Sequence, residues 1–225
     1  MPACFYGVSV GPGDAELMTV KALRCLERVP VIAAPRSHGR CTALHIARQL
    51  VDLTAKTVLY LDLPMTRDPE ALAAAHRTQA GTVIGELRQG RDVAMLSLGD
   101  VSLYSTFSYL RPLVQAAGFP CAAIPGVTSF CAAAAALGRP LCGMDEPLTI
   151  LPGAAVNDAA LDLPGGKVIM KSGRGQGVLR QTLEAKGLSE RAALAIRVGM
   201  EGQQLYPTLS AAPDTDDYFT AILID

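Results

Sequence analysis

Nearly continuous apolar runs alternate with amphipathic stretches along residues 5–137. Such runs are typical of parallel strands that are covered on both faces, because strands with one exposed face alternate apolar and polar positions instead. The stretches between them have helical spacing. In the first stretch, residues 15–28, Asp14 is the predicted N-cap. The apolar face of this predicted helix consists of Leu17, Val20, Leu23 and Leu26. The alternation predicts a doubly wound α/β layer.

Five strands and five helices are predicted in this layer. The predicted strands are residues 5–10, 31–34, 57–63, 93–98 and 121–124. The predicted helices are residues 15–28, 42–53, 69–89, 107–117 and 128–137. The helix over 69–89 is the longest, with Pro69 at its start and Gly90 after its end, which is where these residues favour helix boundaries.

The pattern changes at residues 138–146, which contain two glycines and a proline. We therefore predict two α/β domains, residues 1–144 and 145–225. Strands are predicted at 148–151, 167–171 and 192–198, with a helix at 178–186. Two further runs, 203–209 and 219–224, are separated only by a polar segment, so we expect them to form an antiparallel pair. This pair would make the second sheet mixed.

Three turns with unusual residues follow strands of the first predicted sheet. They are Gly11-Pro12-Gly13-Asp14, Gly99-Asp100 and Pro125-Gly126. Ligands of open parallel sheets bind at the carboxyl ends of the strands, so we expect the three turns to face one crevice. Glycine and proline are also ordinary turn residues, and Asp14 could serve only as a helix cap. The signal is the coincidence of all three turns.

The first turn is a poor site for a phosphate group. It matches neither G-x-G-x-x-G nor the P-loop pattern. Pro12 has no backbone N–H to donate to an anion. Asp14 would place a carboxylate beside the phosphates. A cationic or neutral cofactor suits this turn better than a nucleotide polyphosphate.

Composition narrows the class of protein. Half of the 225 residues are apolar, 18% are charged, the formal net charge is −1 and there is no basic block, which counts against a nucleic-acid-binding protein without excluding it. The longest apolar run, residues 130–137, is too short to cross a membrane. Six cysteines without a C-x-x-C pair indicate a reduced, cytoplasmic protein. The three histidines lack metal-ligand spacing, so no metal site is expected.

The three turns, in this order and spacing, resemble those of the tetrapyrrole methylases, the class III S-adenosylmethionine-dependent methyltransferases. The third motif extends from Ile124 to Ser129. Within the family, residues 102–107, 145–148 and 170–174 are most similar to the precorrin-2 and cobalt-factor II C20-methyltransferases of cobalamin biosynthesis. One departure is visible, because the family usually has Gly-Asp-Pro at the second turn and this chain has Val101 in place of the proline. The rigidity of that loop is therefore an open question.

The resemblance implies that S-adenosylmethionine binds in a cleft between the two domains. The residues that it implies as cofactor contacts are Pro12, Leu98, Gly99, Asp100, Leu103, Thr128, Ser129, Met170 and Val198. A carboxylate at Asp100 suits the cationic sulfonium and amino groups of this cofactor.

The resemblance also implies a ring-shaped tetrapyrrole substrate with eight carboxylates, which requires cationic and hydrogen-bonding partners. The candidate substrate-binding residues are Arg36, His38, Arg40, Ser105 and Arg174, and further basic residues are Arg111, Arg139 and Lys171. Any one of these basic residues could be an ordinary surface residue. If a base is needed, Asp100 and Tyr104 are candidates, as are Asp145 and Glu146.

Several alternatives remain open from the sequence. The chain could methylate another position of a corrin precursor, uroporphyrinogen, or the ribose of ribosomal RNA, although the absence of a basic stripe counts against RNA. It could also be a nucleotide-binding module without catalysis. The sequence does not distinguish metal-free precorrin-2 from cobalt-factor II. The resemblance implies a homodimer.

Overall fold

The computed structural model describes residues 2–36, 41–64, 66, 68–173 and 175–225. The chain divides into two compact units, one up to Val127 and one from Thr128. The predicted domain boundary after residue 144 remains a prediction. The compact units divide earlier because helix α5, Ser129–Leu137, packs against the strands of the second sheet.

Among its described residues, the first unit has five strands and four α-helices. The strands are β1 (Phe5–Ser9), β2 (Val31–Arg36), β3 (Thr57–Asp62), β4 (Val93–Ser97) and β5 (Cys121–Ile124). The helices are α1 (Val20–Arg28), α2 (Thr42–Ala47), α3 (Pro69–Arg88) and α4 (Phe107–Ala116). All pairs in the sheet are parallel, and the strand order is β3-β2-β4-β1-β5. The predicted doubly wound layer is confirmed.

Each face of this sheet has its own core. Side chains such as Val8 and Leu96 pack with α1 and α2, whereas their strand neighbours, such as Phe5 and Met95, pack with α3 and α4. Successive side chains on a strand point to opposite faces, so nearly continuous apolar strands supply both cores. The three strands that precede the predicted turns are consecutive in the sheet, in the order β4, β1, β5.

The first predicted helix is interrupted. Residues Ala15–Leu17 form a 3₁₀ turn with Asp14 as its cap, and α1 begins only at Val20. The hydroxyl of Thr19 accepts a hydrogen bond from the N–H of Ala22, so Thr19 is a second N-cap that starts a new helix. The prediction that Val20 lies on the core face is wrong, because Val20 is 61% exposed.

Two other boundaries differ from prediction. Strand β2 continues through Pro35 to Arg36. Proline is compatible with this position because β4 pairs only with Val31–Ala33 of β2, so no neighbour on that side needs the missing N–H of Pro35. Helix α2 ends at Ala47, where the chain continues in tighter turns, although the pattern predicts a helix to residue 53.

The described part of the second unit contains α5 and a mixed five-stranded sheet. Its strands are β6 (Leu148–Pro152), β7 (Gly166–Met170), β8 (Ala192–Ile196), β9 (Gln204–Tyr206) and β10 (Thr220–Ile224). Its other helices are α6 (Asp158–Leu161) and α7 (Gln176–Ala185). The strand order is β6-β7-β10-β8-β9, in which only β6 and β7 are parallel neighbours.

The prediction of a mixed sheet is confirmed, but the expected pairing of the last two strands is wrong. Strand β8 lies between β9 and β10 and pairs antiparallel with both. The connection between β9 and β10 therefore crosses β8, and its residues Leu209 and Ala212 are buried in the core of this unit. In the part of the chain that the structure describes, no helix is long and apolar enough to cross a membrane.

Candidate functional site

The first and second turns are joined directly by backbone hydrogen bonds. Ser9 and Ser97 are register partners at the ends of β1 and β4. Beyond them, the N–H of Gly99 donates to the carbonyl of Gly11 at 2.8 Å. Gly11 and Gly99 have φ values of 78° and 71°, in the left-handed region that favours glycine. The two glycines therefore allow both chains to turn while they remain paired.

Asp100 joins the second turn to the third. Its Oδ2 accepts a hydrogen bond from the backbone N–H of Gly126 at 2.6 Å. Its Oδ1 accepts from the N–H of Ser102 at 2.8 Å and from the Ser102 hydroxyl. Asp100 is only 8% exposed. The carboxylate is thus engaged on both oxygens in holding backbone, and its position couples two separate turns.

These bonds determine the protonation of Asp100. Burial raises the pKa of this carboxyl, but the hydrogen bonds from Ser102 and Gly126 favour the charged form and hold the pKa below its usual value. A carboxylate with a lowered pKa is a weak base. The predicted role of Asp100 as a base is therefore disfavoured by its surroundings.

A residue that sequence reasoning did not single out, Ser9, joins all three turns. It is fully buried near the end of β1. Its Oγ donates to the carbonyl of Ile124 at 2.8 Å and accepts from the N–H of Val101 at 2.8 Å. The signal in the sequence was a lone hydroxyl within an apolar strand, because a buried polar group needs partners.

Gly126 has no room for a side chain. A Cβ built at this position would lie 2.4 Å from the Cβ of Ser9 and 2.9 Å from the carbonyl oxygen of Gly99. The backbone of the third turn therefore packs directly on the first strand and the second turn. The predicted proximity of the three turns is confirmed.

The chemistry of this cluster excludes phosphate and suits a cation. Residues 11–14, 99–106 and 125–127 contain no lysine, arginine or histidine. They offer two carboxylates, hydroxyls and backbone carbonyls. Asp14 also caps the 3₁₀ turn, where its Oδ1 accepts from the N–H of Glu16 at 2.9 Å. A phosphate group would meet no counter-charge here.

The loop after Asp100 leads into α4. Tyr104 is 46% exposed and has a φ of 51°, which is uncommon for a residue with a side chain. Ser105, a predicted substrate-binding residue, is buried instead: its Oγ accepts from Ser97 Oγ at 3.0 Å and from the N–H of Phe107 at 3.2 Å. These contacts favour a role for Ser105 in holding the loop.

The other predicted first-unit contacts lie in or beside the turns. Pro12 and Gly99 are buried, whereas Leu98 and Leu103 are partly exposed. The predicted roles of all four as cofactor contacts remain predictions.

Arg36, another predicted substrate-binding residue, is already paired. Its Nε and Nη2 donate to the two carboxylate oxygens of Asp62, at 2.5 Å and 2.9 Å, and its guanidinium lies over the ring of Tyr60. The hydrogen bond to Asp62 raises the pKa of Arg36 and lowers that of Asp62. The other predicted residues of this group, His38, Arg40 and Arg174, lie outside the described residues.

In the second unit, the predicted cofactor residues lie at the carboxyl ends of two strands of the sheet. Met170 ends β7 and Val198 follows β8, and both strands run antiparallel to β10 between them. The residues beside them, Lys171 and Arg197, have φ values of 57° and 51°. Non-glycine residues in this conformation are strained and concentrate at functional sites. The carboxyl ends of β7 and β8 are therefore a candidate site for ligand binding as well.

The remaining two predicted cofactor residues lie at the start of α5. Thr128 is its N-cap, and its hydroxyl accepts from the N–H of Cys131. Ser129 is the first helical residue. A helix cap accounts for Thr128 without a ligand, so the cofactor roles of Thr128 and Ser129 also remain predictions.

Comparison with known proteins decides the family. The model of the tetrapyrrole (corrin/porphyrin) methylases matches residues 4–213 of this chain. The chain is a tetrapyrrole methylase. The match includes all three turns, so this methylase has the family's motifs where the structure brings its turns together.

Two relatives resemble this methylase over almost their whole length. Precorrin-2 C(20)-methyltransferase from Sinorhizobium is 32% identical, over 97% of this chain and 93% of the relative. Cobalt-precorrin-2 C(20)-methyltransferase from Salmonella typhimurium is 30% identical, over 98% and 95%. The chain spans only 45% of the longer cobalamin biosynthesis protein CobIJ of Mycobacterium tuberculosis, to which it is 32% identical.

A solved structure has the same fold. Uroporphyrin-III C-methyltransferase from Thermus thermophilus, in complex with S-adenosylhomocysteine, superposes with a TM-score of 0.70 at 20% identity. The likeness covers 99% of this methylase and 97% of the solved chain. Among the described residues of this methylase, no group of three His, Cys, Asp or Glu side chains could hold a metal ion.

Proposed function

We propose that the chain transfers a methyl group from S-adenosylmethionine to C20 of precorrin-2 or cobalt-factor II in cobalamin biosynthesis. Membership of the tetrapyrrole methylases supports the reaction class. The names of the two full-length relatives, both C(20)-methyltransferases of precorrin-2 or its cobalt form, support the position on the ring.

The observation that carries the proposal is the fused cluster of three turns without a basic side chain. When bound, S-adenosylmethionine supplies an electrophilic methyl group on a sulfonium cation and carries no phosphate. The cluster fits such a cofactor because it presents carbonyls, hydroxyls and carboxylates. The glycines at 11, 99 and 126 let the three turns bend and pack closely on one another, which brings these groups together.

The contribution of the chain to the reaction is alignment. A displacement at the methyl group requires the ring carbon, the methyl carbon and the sulfur to lie in line. Residues that hold both partners can lower such a barrier by about 7–11 kcal/mol. Asp100 and Ser9 fix the spacing of the turns and therefore act on alignment through the backbone.

Loss of a proton from the methylated carbon completes the reaction. Asp100 is a poor acceptor because both its oxygens accept hydrogen bonds and its pKa is lowered. Tyr104 is more accessible, since its side chain is 46% exposed on the loop that follows Asp100. If a group of the protein takes up this proton, Tyr104 would have to be in its phenolate form to accept it.

The carboxylates of the substrate need cationic partners. Arg36 fits this role at the carboxyl end of β2, provided that it exchanges Asp62 for a substrate carboxylate. The side chain of Asp62 is 65% exposed, so water can solvate its carboxylate after such an exchange. Asp62 would then act as a placeholder that keeps the guanidinium oriented before the substrate arrives.

The experiment that tests the function uses the purified chain with metal-free precorrin-2 and, separately, with cobalt-factor II. Each mixture contains S-adenosylmethionine, and the visible spectrum and the mass of the tetrapyrrole are followed. We expect one substrate to gain a single methyl group at C20, with release of S-adenosylhomocysteine. Reactions without S-adenosylmethionine provide the control.

The outcomes separate the alternatives. Methylation at another carbon, or of uroporphyrinogen alone, would replace the proposed position while keeping the reaction class. Binding of S-adenosylmethionine without transfer to any tetrapyrrole would favour a non-catalytic binding module. The relative rates with metal-free precorrin-2 and with cobalt-factor II decide between these two substrates.

We also propose that the protein is a cytoplasmic homodimer. The resemblance to the family supports the dimer. All six cysteines are free, which agrees with a reducing compartment. Sedimentation equilibrium at several concentrations tests the assembly, and a single species with the monomer mass would contradict it.

A further inference from the structure

We propose that Ser9 is a positioning residue of the cofactor site, and that its hydroxyl sets the distance between the second and third turns. The inference rests on the proposed function only in that the cofactor is taken to bind at these turns. It assigns a role to a residue that touches backbone alone.

The hydroxyl of Ser9 occupies a central position. It lies on β1, between β4 and β5, two residues before the first turn begins at Gly11. It donates to the carbonyl of Ile124, which precedes the third turn, and accepts from the N–H of Val101, which follows the second turn. A single oxygen therefore ties the two outer turns to the central strand.

Burial makes these bonds consequential. Ser9 is fully buried, so water cannot replace either partner if the hydroxyl is removed. An unsatisfied buried donor or acceptor is costly, whereas a satisfied one contributes modestly. The N–H of Val101 would have to find a new acceptor, and the simplest way is a movement of the second turn.

The hydrogen bond from Val101 also bears on the rigidity of the second turn, where this chain has Val101 in place of the family's usual proline. A proline at this position would stiffen the loop through its ring but would have no N–H to donate. With Val101, the loop has a donor instead, and the donor is fixed by Ser9 at 2.8 Å. The side chain of Val101 is 2% exposed, so the residue is anchored on both its backbone and its side chain.

Asp100 forms a second tie between the same two turns. Its Oδ2 bonds the N–H of Gly126, while Ser9 packs against Gly126 on the other side. One tie is the bond from the N–H of Val101 to Ser9, and the other is the bond from the N–H of Gly126 to Asp100. Asp100 and Val101 are consecutive residues, so the two ties hold the same piece of backbone. Loss of one is therefore expected to weaken the other, and variants of Ser9 and Asp100 should be non-additive in cofactor binding.

The test combines Ser9→Ala with two measurements on the full chain. Isothermal titration gives the dissociation constant for S-adenosylmethionine, which we expect to rise about tenfold. Amide hydrogen exchange, without cofactor, reports the N–H of Val101. We expect its exchange to accelerate, while the N–H of Gly99, which bonds to Gly11, stays protected.

Matched variants separate positioning from general stability. Val83→Ala removes buried volume from α3, in the core on the same face of the sheet as Ser9, without removing a hydrogen-bonding partner of Ser9, and should lower the melting temperature without changing the dissociation constant. Ser9→Cys retains a weak hydrogen-bonding group and should bind with intermediate affinity; it also serves if Ser9→Ala does not fold.

Each outcome decides a different claim. Equal affinity of the wild type and Ser9→Ala, or an equal loss in Val83→Ala, would overturn the role of Ser9. A wild-type chain that does not bind S-adenosylmethionine would overturn the proposed function instead. In that case the cofactor role of Ser9 falls with it, and exchange at Val101 decides only whether the Ser9 hydroxyl holds the second turn in place: faster exchange in Ser9→Ala supports this, and unchanged exchange overturns it.

Discussion

The carboxylate of Asp100 accepts a hydrogen bond from the backbone N–H of Gly126 at 2.6 Å, although the two residues follow different strands. Strands β4 and β5 are not neighbours, because β1 lies between them. Asp100 therefore bridges across an intervening strand, and one negative charge maintains the geometry of two turns.

The first prediction concerns Asp100→Asn. The amide is similar in shape, but its NH₂ group would face either the N–H of Gly126 or that of Ser102, so one donor would lose its acceptor. A buried donor left in this way costs about 1–3 kcal/mol. We expect a comparable loss of S-adenosylmethionine affinity, about 5- to 150-fold, measured by isothermal titration.

Asp92→Asn is the matched control for this variant. Asp92 accepts a hydrogen bond from the N–H of Cys4 at 2.7 Å. It therefore ties backbone at the amino ends of β1 and β4, away from the three turns. The amide oxygen of Asn can still accept this single hydrogen bond, so the variant should keep both its stability and its cofactor affinity. Equal affinity of Asp100→Asn and the wild type would remove Asp100 from the site.

The second prediction concerns acid stability. Because the hydrogen bonds outweigh burial, the pKa of Asp100 in the folded chain lies below 3.8, its reference value. The charged form therefore stabilises the fold above pH 3.8, and this contribution is lost as the pH falls through the folded pKa. The free energy of unfolding of the wild type should exceed that of Asp100→Asn most at neutral pH, and the difference should shrink in acid.

Urea unfolding of both proteins over a series of pH values measures this difference. A difference that stays constant from neutral to acidic pH would show that Asp100 does not titrate with a lowered pKa.

The third prediction concerns Gly126→Ala. The new Cβ would lie 2.4 Å from that of Ser9 and 2.9 Å from the carbonyl of Gly99, and backbone would have to move. Overpacking of this kind costs typically 1–3 kcal/mol and occasionally more. We expect a lower melting temperature and a cofactor affinity reduced more than tenfold.

Gly81→Ala provides the contrast, because a Cβ at that exposed position in α3 meets nothing within 4 Å. Alanine should stabilise the helix by about 0.5–1 kcal/mol. If both glycine variants behaved alike, the close packing of the third turn would be of no consequence for binding.

The fourth prediction concerns the pair of Arg36 and Asp62. If Arg36 exchanges Asp62 for a substrate carboxylate, Arg36→Ala should raise the KM for the tetrapyrrole several-fold. Asp62→Asn should lower it, because the competing carboxylate is gone. Steady-state kinetics at saturating S-adenosylmethionine measure both.

Arg91→Ala is the control for this pair. Arg91 is also paired with a carboxylate, that of Glu86, but it precedes β4 and lies at the amino end of that strand. Its KM should match that of the wild type. An unchanged KM in Arg36→Ala would exclude Arg36 from substrate binding.

Much of this architecture could be predicted from local sequence. Helix α3 begins and ends within one residue of its predicted bounds because Asp68 caps it, Pro69 starts it and Gly90 follows it. The proximity of the three turns was predictable since parallel strands end at one edge of a sheet. Both features depend on local sequence, that is, on residues at or next to the element that they determine.

Features that depend on distant partners were not predictable. Thr19 divides the first helix because its hydroxyl caps α1, and it also donates to the carbonyl of Pro125 at 3.4 Å. Ser9 reads as part of an apolar strand until its partners at Val101 and Ile124 are known. Strand order in the second sheet has the same origin, because nothing near β9 or β10 indicates that β8 separates them.

The position of β10 has a consequence for synthesis. Strand β10 is made last of the strands in its sheet but lies in the middle, between β7 and β8. Until residues 220–224 leave the ribosome, β7 and β8 have no central partner, and each presents an open hydrogen-bonding edge. Open edges of apolar strands invite aggregation. The nascent second unit is therefore expected to depend on chaperones until its central strand arrives.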